Sequence, residues 1–286
     1  MANFTTTTSA VFIPEIWSVE TLRAAERALV MAPLVKRYDA LVKQRGDTIH
    51  IPHVSNLSAN PKVQNSEVTL QTITETDTTI AVNQWKEVSF EIEDIVKVQS
   101  QYDLRSEYTS KAGYAIAQSV DSDLLALYAS LATVDVGTYG VDMGDTEIVK
   151  ALQKLDEADA PLEDRFLIIA PSQKAAIMKL DKFVKADYLG QYDQPTPVKR
   201  GPNNRYLWGD IYGIPTYYTN QVPVTAGTPT QTHNLLFHRE AFALALQLSP
   251  RTQASYWQKD LSWLITADVI YGVSALRDTF GVEIRS

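Results

Sequence analysis

The chain contains no cysteine, so disulfides and thiol chemistry are excluded, and a reducing compartment is compatible with it. It has no uninterrupted apolar run approaching the roughly eighteen residues that a membrane-spanning helix needs. The opening MANFTTTTSAVFIPEIW carries neither a basic segment nor an apolar one behind it, so no signal peptide is expected. Positive charge is also scarce: the net charge is −8 and the pI about 5.1. No basic stripe dominates, which argues against sequence-specific recognition of nucleic acid. Gly140, Gly144, Gly209 and Gly213 make no GxxxxGK[ST] phosphate cradle. The sequence carries no convincing internal repeat.

What is present is ordinary globular material. The 286 residues are 45% hydrophobic and 21% charged, enough for a sizeable core in one or two domains. The organising stretch is residues 100–132. There Leu104, Tyr108, Ala112, Ala115, Ile116, Val120, Leu124, Leu127, Tyr128 and Leu131 recur in steps of three and four. That spacing draws one apolar stripe along a helix, with Asp103, Arg105, Glu107, Lys111, Asp121 and Asp123 mostly off it. Ser100 followed by Asp103 marks its start. About thirty residues at about 1.5 Å each give a rod of roughly 45–50 Å, and something long must lie against it.

Ahead of the rod, residues 1–13 read as a Thr-rich arm and residues 14–31 as a helix with Pro14 in its first turn. Residues 46–98 then switch to period two. VTLQTITET reads as one strand, and in TTIAVNQWKEVSFEIED the side chains Ile80, Val82, Val88, Phe90 and Ile92 share one register. A bare ribbon of this kind leaves edges open and an apolar face to cover. Ile80, Val82, Trp85, Val88 and Phe90, together with Trp17, are therefore the candidate contacts between subunits. Beyond residue 140 the texture becomes α/β. A helix begins at Asp145 and carries Ile148, Leu152 and Leu155, and the run RFLIIA at 165–170 predicts a strand buried on both faces. A helix from Pro171 to about Val184 follows, then short strands around Gly209 and Gly213. HREAFALA at 238–245 is ambiguous between strand and helix. Two closing strands are expected over 258–268 and 269–285, with a turn near Tyr271-Gly272.

Residues that invite a catalytic reading have plainer explanations. His50 and His53 are three apart in an alternating strand and so face opposite ways, which a shared metal does not permit. His238, Arg239 and Glu240 have the composition of acid/base equipment, but no nucleophile motif accompanies them, and a solvated or interface charge cluster fits better. Asp156, Glu157, Asp159, Glu163 and Asp164 match no EF-hand spacing. The five tryptophans, Trp17, Trp85, Trp208, Trp257 and Trp263, are scattered rather than striped. No catalytic residue, metal ligand or cofactor is expected.

The order of parts resembles the major capsid proteins of tailed bacteriophages, of the Hong Kong 97 type. The residues that carry the resemblance are GDTIHIP at 46–52, YGIPTYYTNQVP at 212–223, LLFHREAFALAL at 235–246 and the closing DVIYGVSALRDTFGVEIRS. The resemblance implies an α+β fold with an N-terminal arm and helix (1–35), opening strands and an extended hairpin called the E-loop (36–98), and a spine helix of the P-domain (99–140). It further implies an α/β A-domain (141–245) and closing P-domain strands (246–286). Such subunits form hexamers and pentamers of an icosahedral head around double-stranded DNA, in the virion, assembled in the bacterial host cytoplasm. The implied partners are further copies, a separate scaffolding protein, a portal, a decoration protein and DNA held non-specifically, with Lys36, Arg37, Lys43 and Arg45 as its basic side chains. No stretch is long enough for a fused scaffolding domain or a large inserted surface domain. Some members crosslink through a hairpin lysine. Lys62 lies in that region, but no crosslinking residue is carried over. An encapsulin-like cargo shell shares the fold, and an enzyme, a hydrolase or a metal-dependent oxygenase using His238 or His50, is the more distant reading.

If residues 100–132 act as one rod, Tyr114→Pro costs roughly 3 kcal/mol or more by removing a backbone donor and clashing with the preceding turn. Insoluble or unassembled protein is expected, while Lys111→Ala changes little. Circular dichroism and particle yield check both.

Overall fold

A computed structural model describes residues 29–42, 47–54, 57–73, 75–95, 104–131, 135–180 and 207–286. In chain order its first elements are β1 (Lys36–Arg37), α1 (Asp39–Val42), β2 (Thr48–Val54), β3 (Glu75–Ala81), β4 (Gln84–Glu93), α2 (Leu104–Leu125) and β5 (Asp135–Gly137). Next come α3 (Asp145–Glu157), β6 (Arg165–Ile169), α4 (Pro171–Ile177), β7 (Leu207–Ile211), β8 (Ile214–Tyr218) and β9 (Val224–Thr225). The last are β10 (Gln231–His238), β11 (Phe242–Trp257), β12 (Ser262–Ala275) and β13 (Gly281–Arg285).

A mixed sheet takes the order β5-β13-β10-β6-β8-β7, with β9 paired to β10. Its centre is apolar on both sides, as RFLIIA predicts: Leu167, Ile168 and Ile169 of β6 and Leu235, Leu236 and Phe237 of β10 are all buried. Helix α3 buries Ile148, Ala151 and Leu155, and its start is fastened by the Glu147 carboxylate, which accepts the Gly144 N–H at 3.0 Å. The turn between β7 and β8 has Tyr212 at φ 53° and Gly213 at φ 76°. Two consecutive left-handed residues make the tight hairpin that twisted strands favour. β13 was expected with the closing strands. It sits instead inside this sheet, between β5 and β10.

The second sheet has the order β1-β11-β12-β4, and α2 packs on it. Both sheets contribute to one core that also holds Ala112, Ile116, Val120, Leu124 and Leu125 of α2. The expected start of the rod at Ser100 lies outside the described residues, and at its other end it ceases to be α-helical after Leu125. The described α-helix has 22 residues, about 33 Å at about 1.5 Å each, and tightens into a 3-10 turn over Ala126–Ser130. That turn lays Tyr128 on the His233 ring, with centroids 4.1 Å apart, and Leu131 against Gly281. The stripe is also less regular than expected: Tyr108 is exposed and Asp121 is buried. The expected break at Tyr271-Gly272 does not occur, because β12 runs unbroken through it, paired to β11 at both residues and to β4 up to Tyr271. β11 is a strand of 16 residues. It carries Pro250 at a register shift between Leu248 and Arg251, where a missing N–H costs no ladder bond.

Strands β2 and β3 form a separate hairpin with Thr48 opposite Ala81 and Val54 opposite Glu75. Its base packs on β11 through Val42, Ile49, Ile80, Val82, Ala243 and Ala245. The alternation in VTLQTITET yields a strand only from Glu75 onward. Residues 68–73 have no partner strand among the described residues and stay outside any ladder. The helix expected over 14–31 falls largely outside the described residues, and its described end, 29–31, is not helical; the helix expected to reach Val184 stops earlier, at Ile177, where residues 178–180 leave it in a turn.

Gly272 fixes how the hairpin is seated. A Cβ there would land on the carbonyl oxygen of Ala81, well inside van der Waals contact. Gly272→Ala is expected to destabilise the subunit by about 2 kcal/mol through overpacking. Thermal melting is the check, and a wild-type midpoint would contradict the close approach.

Candidate assembly surface

Beyond the β2–β3 hairpin, residues 57–73 are exposed throughout and join no strand or helix. Their shape comes from local polar contacts. The Gln71 side chain and the Ser58 backbone bond each other reciprocally, with the Ser58 N–H donating at 3.0 Å. At the tip the Lys62 ammonium donates to the carbonyls of Val63 and Ser66, and the Ser66 hydroxyl donates to Val63 at 2.8 Å. This turn presents apolar side chains to water: Leu57, Val63, Val68, Leu70 and Ile73 are all exposed, Leu70 to 89%. A monomer has no use for such a patch. The outer half of β11 is similar. Residues 249–257 are exposed, they are paired on one edge only, and they carry Tyr256 and Trp257. Arg251 ties this arm to β12 through a two-pronged bond to Asp268 at 2.8 and 3.0 Å, which holds the Asp268 carboxyl below the usual range.

The candidate contact residues divide. Ile80 is 0% exposed and Val82 is buried beside it, both covered by their own chain. They have no surface left for a neighbour, because the hairpin base folds back onto β11. Val88 and Phe90 are half-buried and pack on the main core, Phe90 at 5.7 Å from the Tyr108 ring. The alternation itself is present along β4, with every second residue turned inward. Trp85 lies on the other face, 71% exposed. Trp17 lies outside the described residues. Of the basic side chains considered for DNA, Lys36 pairs with Glu240 at 2.6 Å and Arg37 with Asp39 at 2.6 Å. Lys43 and Arg45 lie outside the described residues.

The histidines are occupied by structure. His50 faces solvent and reaches Asp77 at 2.5 Å, while His53, on the opposite face, meets the Thr78 hydroxyl at 2.9 Å. His238 is buried rather than solvated, a correction with a clear cause: it ends β10 beneath Phe280, ring edge to face at 5.7 Å. Its Nδ1 accepts the Glu240 N–H at 3.2 Å, and burial pushes its pKa down. It lines a cleft of about 550 Å³ with Lys36, Arg37, Glu163, Asp164, Arg239 and Glu240, where acids and bases are interspersed. Among the described residues no group of three or more His, Asp or Glu side chains is placed to hold a metal.

A polar cluster that the sequence reading missed joins β10, β13 and the end of α2. His233 Nδ1 lies 2.5 Å from Glu283, its Nε2 lies 3.2 Å from the Thr225 hydroxyl, and the Tyr139 hydroxyl donates to Glu283 at 3.2 Å. The chain Thr225–His233–Glu283 has the order of a nucleophile, a base and a carboxylate. It is not open to a substrate: Tyr128 covers the imidazole face, and the adjoining cleft of about 280 Å³ is lined by His233 and Glu283 but not by Thr225. Only the fold brings these residues together, since His233 and Glu283 stand 50 positions apart.

The fold and the sequence both match known proteins. Over 96% of this chain and 97% of the other, it superposes on a structure from Mycobacterium phage Che8 with a TM-score of 0.75 and 24% identity. The capsid structure of cyanophage P-SCSP1u gives 0.76 at 17% identity over 97% and 93%. The mature capsid of bacteriophage PhiM1 gives 0.74 at 12% over 96% and 91%. No curated protein sequence matches the chain. A family model described as phage capsid protein matches residues 75–282, which span β3 to β13. With that match over most of its length, on the arrangement of hairpin, long helix and two sheets found in solved phage capsids, the chain belongs to the phage capsid protein family.

Proposed function

We propose that copies of this chain assemble as hexamers and pentamers into a closed icosahedral shell around double-stranded DNA. Residues 57–73, Trp85 and the outer half of β11 are the contacts between copies. Membership of the capsid family supports self-assembly into a shell and a place in the virion. It also supports a structural role rather than an enzymatic one. In this reading the mixed sheet with α3 and α4 is the A-domain, the four-stranded sheet with α2 is the P-domain, and the hairpin with residues 57–73 is the E-loop. A separate scaffolding protein, a portal and a decoration protein complete the head, built in the bacterial cytoplasm. DNA is held weakly, through contacts that fade with salt.

The observation that carries the reading is the row of exposed apolar side chains on residues 57–73, which no described residue covers. A neighbour supplies the cover, and each contact needs only modest strength because many copies act together. Deleting residues 59–70 should leave the melting midpoint near wild type and abolish particles in sedimentation and electron microscopy. Leu70→Asp should do the same with a stability change within about 0.5 kcal/mol, as for other surface substitutions. Ile80→Asp should instead cost about 3 kcal/mol or more, by stranding a charge in the hairpin base. Closed shells of normal size from the deletion variant would sink the reading.

A further inference from the structure

One buried acid is set apart from ordinary core packing. Asp121 of α2 is 1% exposed, and its two oxygens accept three successive backbone N–H groups. Val30 donates at 3.0 Å to Oδ2, and Met31 at 2.7 Å and Ala32 at 3.2 Å donate to Oδ1. The segment that supplies these amides is also held by apolar side chains, since Val30, Met31, Leu34 and Val35 are buried in the main core.

The two kinds of grip act in opposite senses. The apolar side chains resist leaving the core. The carboxylate is a charge withheld from water, and among the described residues no charged side chain acts on it. Asp123, one turn-face away on the same helix, is engaged with Tyr271 at 2.5 Å and Lys86 at 3.6 Å instead. Burial pushes the Asp121 pKa above the usual carboxylate range, against the downward pull of the three amides. Lifting the segment returns the carboxylate to water and relieves that cost.

We propose that Asp121 and the backbone of Val30, Met31 and Ala32 form a releasable latch, which seats residues 29–35 on α2 in one state of the subunit and frees them in another without unfolding the two sheets. The amides give the seat its register, because only one placement aims three consecutive N–H groups at one carboxylate. The buried charge keeps the seat from being permanent. The pH dependence has a definite sign. A carboxyl with a raised pKa in the seated state stabilises that state most when protonated. The seat is therefore firmest below the ordinary carboxylate value and loosens as pH rises through the raised one.

Hydrogen exchange on the full-length, unassembled chain tests this. After correction for intrinsic rates, the amides of Val30, Met31 and Ala32 should exchange together, at least tenfold faster than those of β10 and β13. Their protection should fall as pH rises above the ordinary carboxylate value of about 3.9. Asp121→Asn, which cannot titrate, should flatten that dependence. Exchange of the three amides only in step with β10 and β13 in the wild-type chain would overturn the latch, and that measurement needs no variant to fold. An unchanged pH dependence in a folded Asp121→Asn chain would overturn it equally.

Discussion

Strand β12 is the member on which the rest of the molecule leans. Both of its edges are filled by its own chain, β11 on one side and β4 on the other. One of its faces lies under α2, where Val269 and Tyr271 are buried with Ile116 and Val120. The Tyr271 hydroxyl reaches Asp123 of that helix, 2.5 Å away. The hairpin of β2 and β3 approaches the same strand at Gly272. A strand satisfied on both edges is a fixed reference for its neighbours, since shifting it by one residue would turn every side chain to the wrong face. The exposed arms follow from this arrangement. β1 covers the far edge of β11 only at Ala243 and Leu244, so the outer half of β11 keeps a free edge among the described residues, and the chain beyond the hairpin base carries uncovered apolar side chains.

The mixed sheet is fixed less by apolar packing alone than by polar groups sunk within it. Asn234 is wholly buried, yet each end of its amide is used: it accepts the Ala170 N–H at 2.9 Å and donates to the Ile284 carbonyl at 3.1 Å and the Ser286 hydroxyl at 2.9 Å. One side chain thereby ties the exit of β6 to β13. The His233–Glu283 pair does the same one residue earlier, and Arg285 extends it to Asp135 at 2.5 Å. Matched buried polar groups such as Asn234 and the His233–Glu283 pair specify one pairing of strands more sharply than interchangeable aliphatic side chains do.

Much of this was legible in the sequence where periodicity was clean. RFLIIA announced a strand buried on both faces, and the alternation from Gln84 to Glu93 is kept residue by residue. Periodicity failed where burial is decided by distant partners. Ile80 and Val82 were read as facing a neighbour because nothing local covers them. Their cover comes from Ala243 and Ala245, far along the chain. Asp121 lies off the apolar stripe, where acids usually meet water, and the amides of residues 30–32 account for its burial. Tyr271-Gly272 had the composition of a turn. The glycine is there for a close backbone approach, which composition does not separate from a bend. The His233 cluster carried no local signal, since its members are brought together from β10, β13 and the 3-10 turn after α2.

The position of β13 bears on when the subunit can finish folding during synthesis. This last strand in chain order is inserted between β5 and β10 rather than added at an edge. Until residues 281–285 have left the ribosome, β5 lacks β13, its one partner strand among the described residues. One edge of β10 and the buried Glu283 side of the polar cluster are likewise incomplete. The nascent chain can form α2 and the β2–β3 hairpin early, because those are local, while closure of the sheet waits for a contact between strands nearly 150 residues apart in sequence, Arg285 to Gly137. A polypeptide held open in this way carries its arms before it carries a finished body. A finished body is thereby tied to the arrival of β13, whatever the arms have already formed.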